Sequence, residues 1–268
     1  MTYGPLYLLT GLFAGVVAGL LGVGGGLINV PILDFLFRRQ GVAADASFHL
    51  ALGTSLAAIV FTAASAAWAH HRRGKVDVGF GWRAGVGGLA GAVLGGYVAS
   101  LLPAATLKPA FAALLVAAAA ELLRSQSVHA PGATGGAGKA YWIGALAGVV
   151  AGFFGIGGGI VAVPLLLWWA RFDPPRAIAT STLMIVILGA GGAATYVFAD
   201  WRETAGVPYA AGGVHLLALI FLAPAAIITA PVGAALGHRI NPLRLKQLFA
   251  LALLLVAGRF FWTLFERG

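Results

Sequence analysis

The chain contains the same glycine-rich sequence twice. Residues 19–31 read GLLGVGGGLINVP and residues 152–164 read GFFGIGGGIVAVP, so that Gly22, Gly24, Gly25, Gly26 and Pro31 all recur 133 positions later. Both runs lie in strongly apolar sequence, where such glycines break a helix. Free backbone groups inside a bilayer are tolerated where they are buried in protein or line a cavity. The duplicated break therefore predicts a binding site between two repeated halves.

The composition indicates an integral membrane protein. Of the 268 residues, 60% are hydrophobic and 9% are charged, whereas soluble domains carry about 25% charged residues. Apolar stretches of the length of a membrane-crossing helix recur, without the alternation of a barrel. The sequence thus predicts an all-α membrane protein with eight apolar segments: 5–37, 47–69, 80–102, 104–123, 140–170, 176–199, 211–237 and 242–265.

Several functional classes are excluded by what the sequence lacks. The formal charge is +9, but the basic residues form short clusters between apolar segments, which is typical of membrane orientation signals and not of nucleic-acid binding. The absence of cysteine excludes disulfides and thiolate metal sites. No phosphate-loop, HExxH or GxSxG motif is present. We therefore expect no enzyme activity, no catalytic residue, no metal, no cofactor and no nucleic-acid partner.

The duplication divides the chain into two membrane repeats. A linker of small residues at 125–139 separates a first repeat at 1–124 from a second at 140–268. The sequence Gly-Thr-Ser at 53–55 is matched by Ala-Thr-Ser at 179–181. Each half also begins with a glycine ladder, which predicts close helix packing: Gly11, Gly15 and Gly19 in the first half, and Gly144, Gly148 and Gly152 in the second.

The distribution of Lys and Arg favours one relation between the repeats. If each half crossed the membrane four times, the halves would be parallel and the basic residues would divide almost evenly between the two sides. If each glycine-broken segment returns to its own side, the second half is inverted and most of the basic residues share one side, as cytoplasmic loops require. We therefore expect two inverted repeats, each with a re-entrant or half-length helix pair followed by three transmembrane helices, and both termini outside.

The glycine breaks also predict an anion site. Helices that begin after Gly26 and Gly159 present free amides and a positive dipole end, and in the inverted arrangement both point at one centre. Hydroxyl and amide donors bind a small oxyanion less tightly than a lysine ammonium does, so that the anion can be released again. The alternative is that the hydroxyls bond to their own helix carbonyls. The expected substrate-binding residues are Gly24, Gly25, Gly26, Asn29, Thr54, Ser55, Gly157, Gly158, Gly159, Thr180, Ser181 and Thr182.

Two ionisable residues are candidates for proton coupling. Asp34 lies within the apolar sequence PILDFLF, and a carboxylate in a membrane segment is a functional candidate. It also lies four residues before Arg38, so an intrahelical ion pair is the alternative. His49 just precedes the first Gly-Thr-Ser sequence and can change its charge near neutral pH.

Taken together, these motifs resemble the TauE/SafE family of membrane permeases, also called sulfite exporters. The matching motifs are GLLGVGGGLINVP with GTSL at 53–56, and GFFGIGGGIVAVP with ATST at 179–182. The likeness extends from about Leu9 to Phe261. The second half departs from the first at Thr182, which replaces Leu56, and at Ala162, which replaces Asn29. The resemblance implies transport of sulfite or a small organosulfonate, usually outward, in the bacterial inner membrane.

The expected function is therefore secondary transport of a small anion. The resemblance makes it a sulfur-containing anion, sulfite or an organosulfonate such as sulfoacetate, exported by alternating access with proton coupling. The alternatives are a passive anion channel, a transporter of a non-sulfur organic anion and a membrane scaffold. The expected partners are the anionic substrate and the lipid bilayer, and the sequence leaves room for a homodimer.

Overall fold

The computed structural model describes residues 3–124, 136–199, 204, 206–236 and 242–265. These residues form ten α-helices and a short β-hairpin, so the predicted all-helical architecture is confirmed. The predicted linker at 125–139 lies for the most part outside the described residues. The elements are α1 (Gly4–Leu21), α2 (Gly26–Arg39), α3 (Ala44–His71), α4 (Val78–Ser100), α5 (Ala104–Arg124), α6 (Ala137–Phe154), α7 (Gly159–Trp168), α8 (Pro174–Phe198), β1 (Ala210–Ala211), β2 (Val214–His215), α9 (Leu216–Leu236) and α10 (Pro242–Phe265).

Helix length and composition agree with a multi-pass membrane protein. Within the described residues, six helices are long and apolar enough to cross a membrane: α1, α3, α5, α6, α8 and α9. Of the apolar windows in α3 and α8, 72% and 67% are buried inside the protein, against 39% for α6 and α9. The helices α3 and α8 therefore form the centre of the bundle, and the others surround them.

Each glycine run turns the chain back on itself. Gly22, Gly24 and Gly25 have φ values of 67°, 78° and 82°, in the left-handed region that costs a residue with a Cβ about 1–2 kcal/mol. The helix α2 then returns along α1, so that the Tyr3 hydroxyl donates to the Arg39 carbonyl at 3.2 Å. Both ends of this hairpin thus lie on the same side of the protein.

The second glycine run repeats this geometry closely. Gly155, Gly157 and Gly158 have φ values of 69°, 74° and 78°. The helix α7 returns along α6, and the Lys139 ammonium donates to the Trp169 carbonyl at 3.3 Å. The chain therefore forms two helical hairpins, each with its ends on one side of the protein.

The glycine ladders hold the first helix of each half against the fourth helix of the other. The helix α1 packs along α9, and α6 packs along α4. A Cβ placed on Gly15 would lie 2.8 Å from the Cα atom of Ala226, and one on Gly148 would lie 3.0 Å from the amide nitrogen of Ala92. Because only hydrogen fits between these backbones, the predicted packing role of the ladders is confirmed.

Two three-helix bundles result from this exchange, and each contains helices from both halves. The helices α1, α3 and α9 pack together, as do α6, α8 and α4. The helices α3 and α9 run in the same direction, with the Ser65 hydroxyl donating to the Ile227 carbonyl at 2.8 Å. The bundles meet where α3 crosses α8 in the opposite direction, with Gly53 beside Tyr196 and Ile59 beside Gly189.

We expect Gly25→Ala to destabilise the protein more than Gly41→Ala. The two glycines have nearly equal φ values, 82° and 84°, so the backbone cost of about 1–2 kcal/mol is shared. A Cβ on Gly25 would lie 2.9 Å from the Ala14 carbonyl oxygen, whereas one on Gly41 meets nothing within 4 Å. Overpacking adds about 1–3 kcal/mol to the first variant. Thermal unfolding of the purified variants measures the difference, and equal losses of Tm would contradict the packing argument.

Candidate functional site

The two glycine turns meet at the centre of the protein. A Cβ placed on Gly26 would lie 2.5 Å from the Cα atom of Ile156, and one on Gly159 would lie 2.6 Å from the Cα atom of Val23. The backbones of the two turns therefore touch, and only glycine permits this approach. The helices α2 and α7 begin at this meeting point.

Two isoleucines fill the space beside the turns. Ile59 of α3 and Ile185 of α8 are both fully buried. A Cβ on Gly24 would lie 3.1 Å from the Cγ2 atom of Ile185, and one on Gly157 would lie 2.9 Å from the Cγ2 atom of Ile59. In this conformation the centre is closed, so a solute that reaches both turns must move these side chains.

The duplicated serines hold the turns across the two bundles. The Ser55 hydroxyl of α3 donates to the carbonyl of Gly155 at 2.7 Å. The Ser181 hydroxyl of α8 lies 2.9 Å from the carbonyl oxygen of Gly22 and 2.8 Å from that of Ile178 in its own helix, so its single proton is shared between the two acceptors. The two serines and the two glycines are buried. Each serine therefore satisfies a backbone acceptor that the opposite half leaves free at its helix end.

The duplicated threonines act within each bundle. The Thr54 hydroxyl accepts a hydrogen bond from the His215 amide at 2.8 Å, and the Thr180 hydroxyl accepts one from the Asp77 amide at 3.1 Å. His215 and Asp77 each directly precede the fourth helix of their half. The threonines thus fix the start of α9 and of α4. In both halves the hydroxyl accepts from the amide of the residue directly before the fourth helix. Thr182 instead donates to its own helix, at the Ala179 carbonyl, 2.6 Å away.

Sequence reasoning did not assign His215 and Asp77. His215 Nδ1 accepts from the Ala218 amide at 3.1 Å, and an Asp77 carboxylate oxygen accepts from the Phe80 amide at 2.9 Å, so both cap a helix. Asp77 also pairs with Arg176 of α8. Burial alone would raise the pKa of Asp77, but the Phe80 amide and Arg176 outweigh it and lower the pKa. The available signal was the position that both residues share, directly before the fourth helix.

Asn29 lies in the first turn of α2 with its side chain unsatisfied. It is 1% exposed, and both its amide oxygen and its amide nitrogen are buried without a hydrogen-bond partner. Leaving a buried polar group unpaired costs about 1–3 kcal/mol. The first backbone bonds of α2 run from Ile28 and Asn29 to the Gly25 carbonyl, so the amides of Gly26 and Leu27 lie ahead of the hydrogen-bond ladder. The start of α2 therefore offers several donors at one place.

Asp34 forms an ion pair that the sequence did not reveal. Its carboxylate lies 3.1 Å from the Lys108 ammonium of α5 and accepts from the Ser47 hydroxyl at 2.6 Å. Among the described residues this pair replaces the intrahelical pair with Arg38 that the spacing suggested. Asp34 lies eight residues after Gly26, about 12 Å along the axis of α2.

His49 lies near the same end of the protein. Its Nδ1 atom is 3.0 Å from the Asp45 carbonyl oxygen and its Nε2 atom is 3.1 Å from the Leu102 carbonyl oxygen. A neutral imidazole can donate to one of these acceptors, and a protonated ring can donate to both. The structure thus brings the glycine runs and the Thr-Ser pairs together, and places Asp34 and His49 towards the side where α3 begins.

We expect Ser55→Ala and Ser181→Ala to destabilise the protein by about 1–3 kcal/mol each, because each leaves a buried carbonyl without its partner. The control is Ser100→Ala, which removes the same hydroxyl from an exposed bond to the Tyr97 carbonyl. Thermal unfolding in detergent compares the three variants. A loss of Tm in Ser55→Ala no larger than in Ser100→Ala would show that the bond between the bundles contributes nothing.

Comparison with known proteins places the chain in a family. Residues 7–260 match the model of the sulfite exporter TauE/SafE family. A probable membrane transporter protein of Haemophilus influenzae is 31% identical over 97% of this chain and 98% of its own length. One of Methanocaldococcus jannaschii is 28% identical over 96% of this chain and 94% of its own, and YunE of Bacillus subtilis is 27% identical over 94% of each.

No solved structure matches the chain significantly. The family model spans both glycine turns, both Thr-Ser pairs and the helices that carry them, and the relatives extend over almost the whole chain. The protein belongs to the TauE/SafE sulfite exporter family of membrane transporters.

Proposed function

We propose that the protein is a secondary transporter of a small sulfur-containing anion, sulfite or an organosulfonate such as sulfoacetate. The observation that carries the proposal is the unsatisfied amide of Asn29, buried at the start of α2. Buried polar groups are almost always hydrogen-bonded, and a ligand that completes the bonds of Asn29 accounts for the exception. The start of a helix attracts anions, and the family supplies the class of substrate.

In this proposal, backbone amides and neutral side chains hold the anion. The donors are the amides of Gly26 and Leu27 and the Nδ2 group of Asn29. Neutral donors bind an oxyanion less tightly than ammonium groups do, which suits a solute that has to leave again. The start of α7 faces the same centre but carries Ala162 where α2 carries Asn29. The two halves therefore contribute unequally, and the first half carries the specificity.

We also propose that the halves, 1–124 and 140–268, are inverted repeats. Three observations support this arrangement. The equivalent helices α3 and α8 run in opposite directions past each other, with Gly53 beside Tyr196 and Ile59 beside Gly189. The glycine turns have matching dihedral angles, and the serine and threonine contacts occur once from each side. A twofold axis in the membrane plane accounts for all three.

Alternating access explains the closed centre better than a permanent channel does. Ile59 and Ile185 pack against the glycine turns, and the backbones of the two turns touch, whereas a channel needs a continuous wetted path. In a carrier, the bundle of α1, α3 and α9 rocks against the bundle of α4, α6 and α8 and opens the centre to one side at a time. Asp34 and His49 are the candidates for proton coupling, and the family supports export across a bacterial inner membrane.

We expect Asn29→Leu to reduce sulfite or sulfoacetate flux about tenfold without lowering Tm. Loss of one donor to an anion costs about 1.5 kcal/mol, roughly a factor of ten, whereas the fold loses no hydrogen bond because Asn29 has none. The matched control is Thr10→Ala, which removes a buried hydroxyl that bonds its own helix at the Leu6 carbonyl. Flux into proteoliposomes should saturate with substrate. Undiminished flux in Asn29→Leu would refute the site, and flux that rises linearly would favour a channel.

Single cysteines at equivalent positions test the inverted arrangement, since the chain has no cysteine of its own. Ala43 and Asp173 are the residues that directly precede α3 and α8, and both are exposed. In intact cells, we expect an impermeant maleimide to label Ala43→Cys and to reach Asp173→Cys only after permeabilisation. Equal labelling of both positions from outside would show that the repeats are parallel.

A further inference from the structure

A pocket of about 150 Å³ opens between α2, α5 and α10. Its lining includes four ionisable side chains, Asp34, Arg38, Lys108 and Arg259, set among apolar ones. It lies on the side where α3 begins, beyond the closed glycine turns. Pro31, which lines the pocket, follows Asn29 by two residues on α2. The pocket therefore adjoins the proposed substrate site but is separate from it.

The charges in the pocket do not cancel. Three cations face one carboxylate, which leaves two positive charges over. Asp34 and Lys108 are buried at the floor, Arg38 is half-buried and Arg259 is exposed at the mouth. In the part of the chain that the structure describes, neither guanidinium has a carboxylate within 4.0 Å. Among the described residues, the pocket thus carries an excess of positive charge that attracts an anion from the mouth.

The shape of the pocket suits a small oxyanion. The guanidinium carbon of Arg259 lies 4.3 Å from the centre of the Phe35 ring, which holds the planar group and leaves its N–H edge available for oxygen atoms. The volume corresponds to about five water molecules at about 30 Å³ each. It lies well below the roughly 300–1,000 Å³ of sites for larger organic ligands. Sulfite, sulfate and a two-carbon sulfonate fit this limit.

We propose that this pocket is a second anion-binding site, in which an incoming oxyanion replaces the Asp34 carboxylate beside Lys108. Arg259 and Arg38 bind the incoming anion, and the Asp34 carboxylate competes with it for the Lys108 ammonium. Anion binding in this pocket does not depend on the proposed function. A role of the pocket as an entry site on the transport path does rest on the proposed function. The phosphate group of an anionic lipid offers the same chemistry as a free oxyanion.

Sulfate binding to the protein in phosphatidylcholine nanodiscs tests the proposal, measured by isothermal titration. All samples carry Asn29→Leu, which silences the proposed site at the glycine turns. We expect Lys108→Gln and Arg259→Gln each to weaken binding about tenfold and Asp34→Asn to tighten it about tenfold. Arg124→Gln, which removes a charge from the exposed far end of the same helix α5, should leave the affinity unchanged.

Asp34→Asn separates competition from a purely structural ion pair. If Asp34 competes with the bound anion, the Tm of Asp34→Asn is below that of the parent protein in the absence of sulfate, because Lys108 has no carboxylate beside it. The Tm then rises to the parent value as sulfate binds. Unchanged or weaker sulfate affinity in Asp34→Asn overturns the proposal, as does unchanged affinity in Arg259→Gln. Neither result contradicts the transport function if Asn29→Leu alone still lowers flux about tenfold. Absence of flux, in turn, does not contradict a measured sulfate affinity.

Nanodiscs that contain phosphatidylglycerol identify the source of the anion. A sulfate affinity equal to that in phosphatidylcholine means that the pocket takes the soluble anion. An affinity that falls with phosphatidylglycerol content, and does not fall in Arg259→Gln, means that a lipid headgroup enters the same pocket. Both results support an oxyanion site, and an affinity that falls equally in the Asn29→Leu parent and in its Arg259→Gln variant overturns it.

Discussion

Two stretches of backbone leave helical geometry inside the helical bundle of a membrane protein, and each needs hydrogen-bond partners that lipid cannot provide. An unpaired carbonyl in hydrocarbon costs several kcal/mol. Each half of the protein provides a hydrogen-bond donor for the turn of the other half, because Ser55 bonds the turn at Gly155 and Ser181 bonds the turn at Gly22. Each glycine turn therefore takes a hydrogen-bond donor from the opposite half. The contact between them places the turns of both hairpins at the centre.

This contact also explains why glycine recurs at the same places in both halves. Positive φ angles are required at three positions of each turn, and the approach of Gly26 to Ile156 leaves no room for a side chain. A backbone that is already exposed for packing reasons can also bind an anion, since its amides point away from the helix that they begin. Structure and proposed function thus draw on the same unwound segments.

Much of this could be predicted from the sequence, because the signals are local. Helix breaks, apolar segment lengths and glycine ladders depend on residues within a few turns of each other, and the helices lie close to the predicted segments. The hydrogen-bond and ion-pair partners of the polar side chains could not be predicted from the sequence. Asp34 and Lys108 are 74 positions apart and Thr54 and His215 are 161 apart. Spacing favoured Arg38 for Asp34 because only an intrahelical neighbour is visible in a linear chain.

The exchange of first and fourth helices has a consequence for how the protein is made. The ladder at Gly11 packs against Leu222, so α1 enters the membrane long before the helix that covers its glycine face has been synthesised. During that interval the backbone groove faces lipid or the insertion machinery. The packing of α1 against α9 can therefore form only after almost the whole chain has been synthesised. The first half by itself lacks the helix that covers the glycine face of α1.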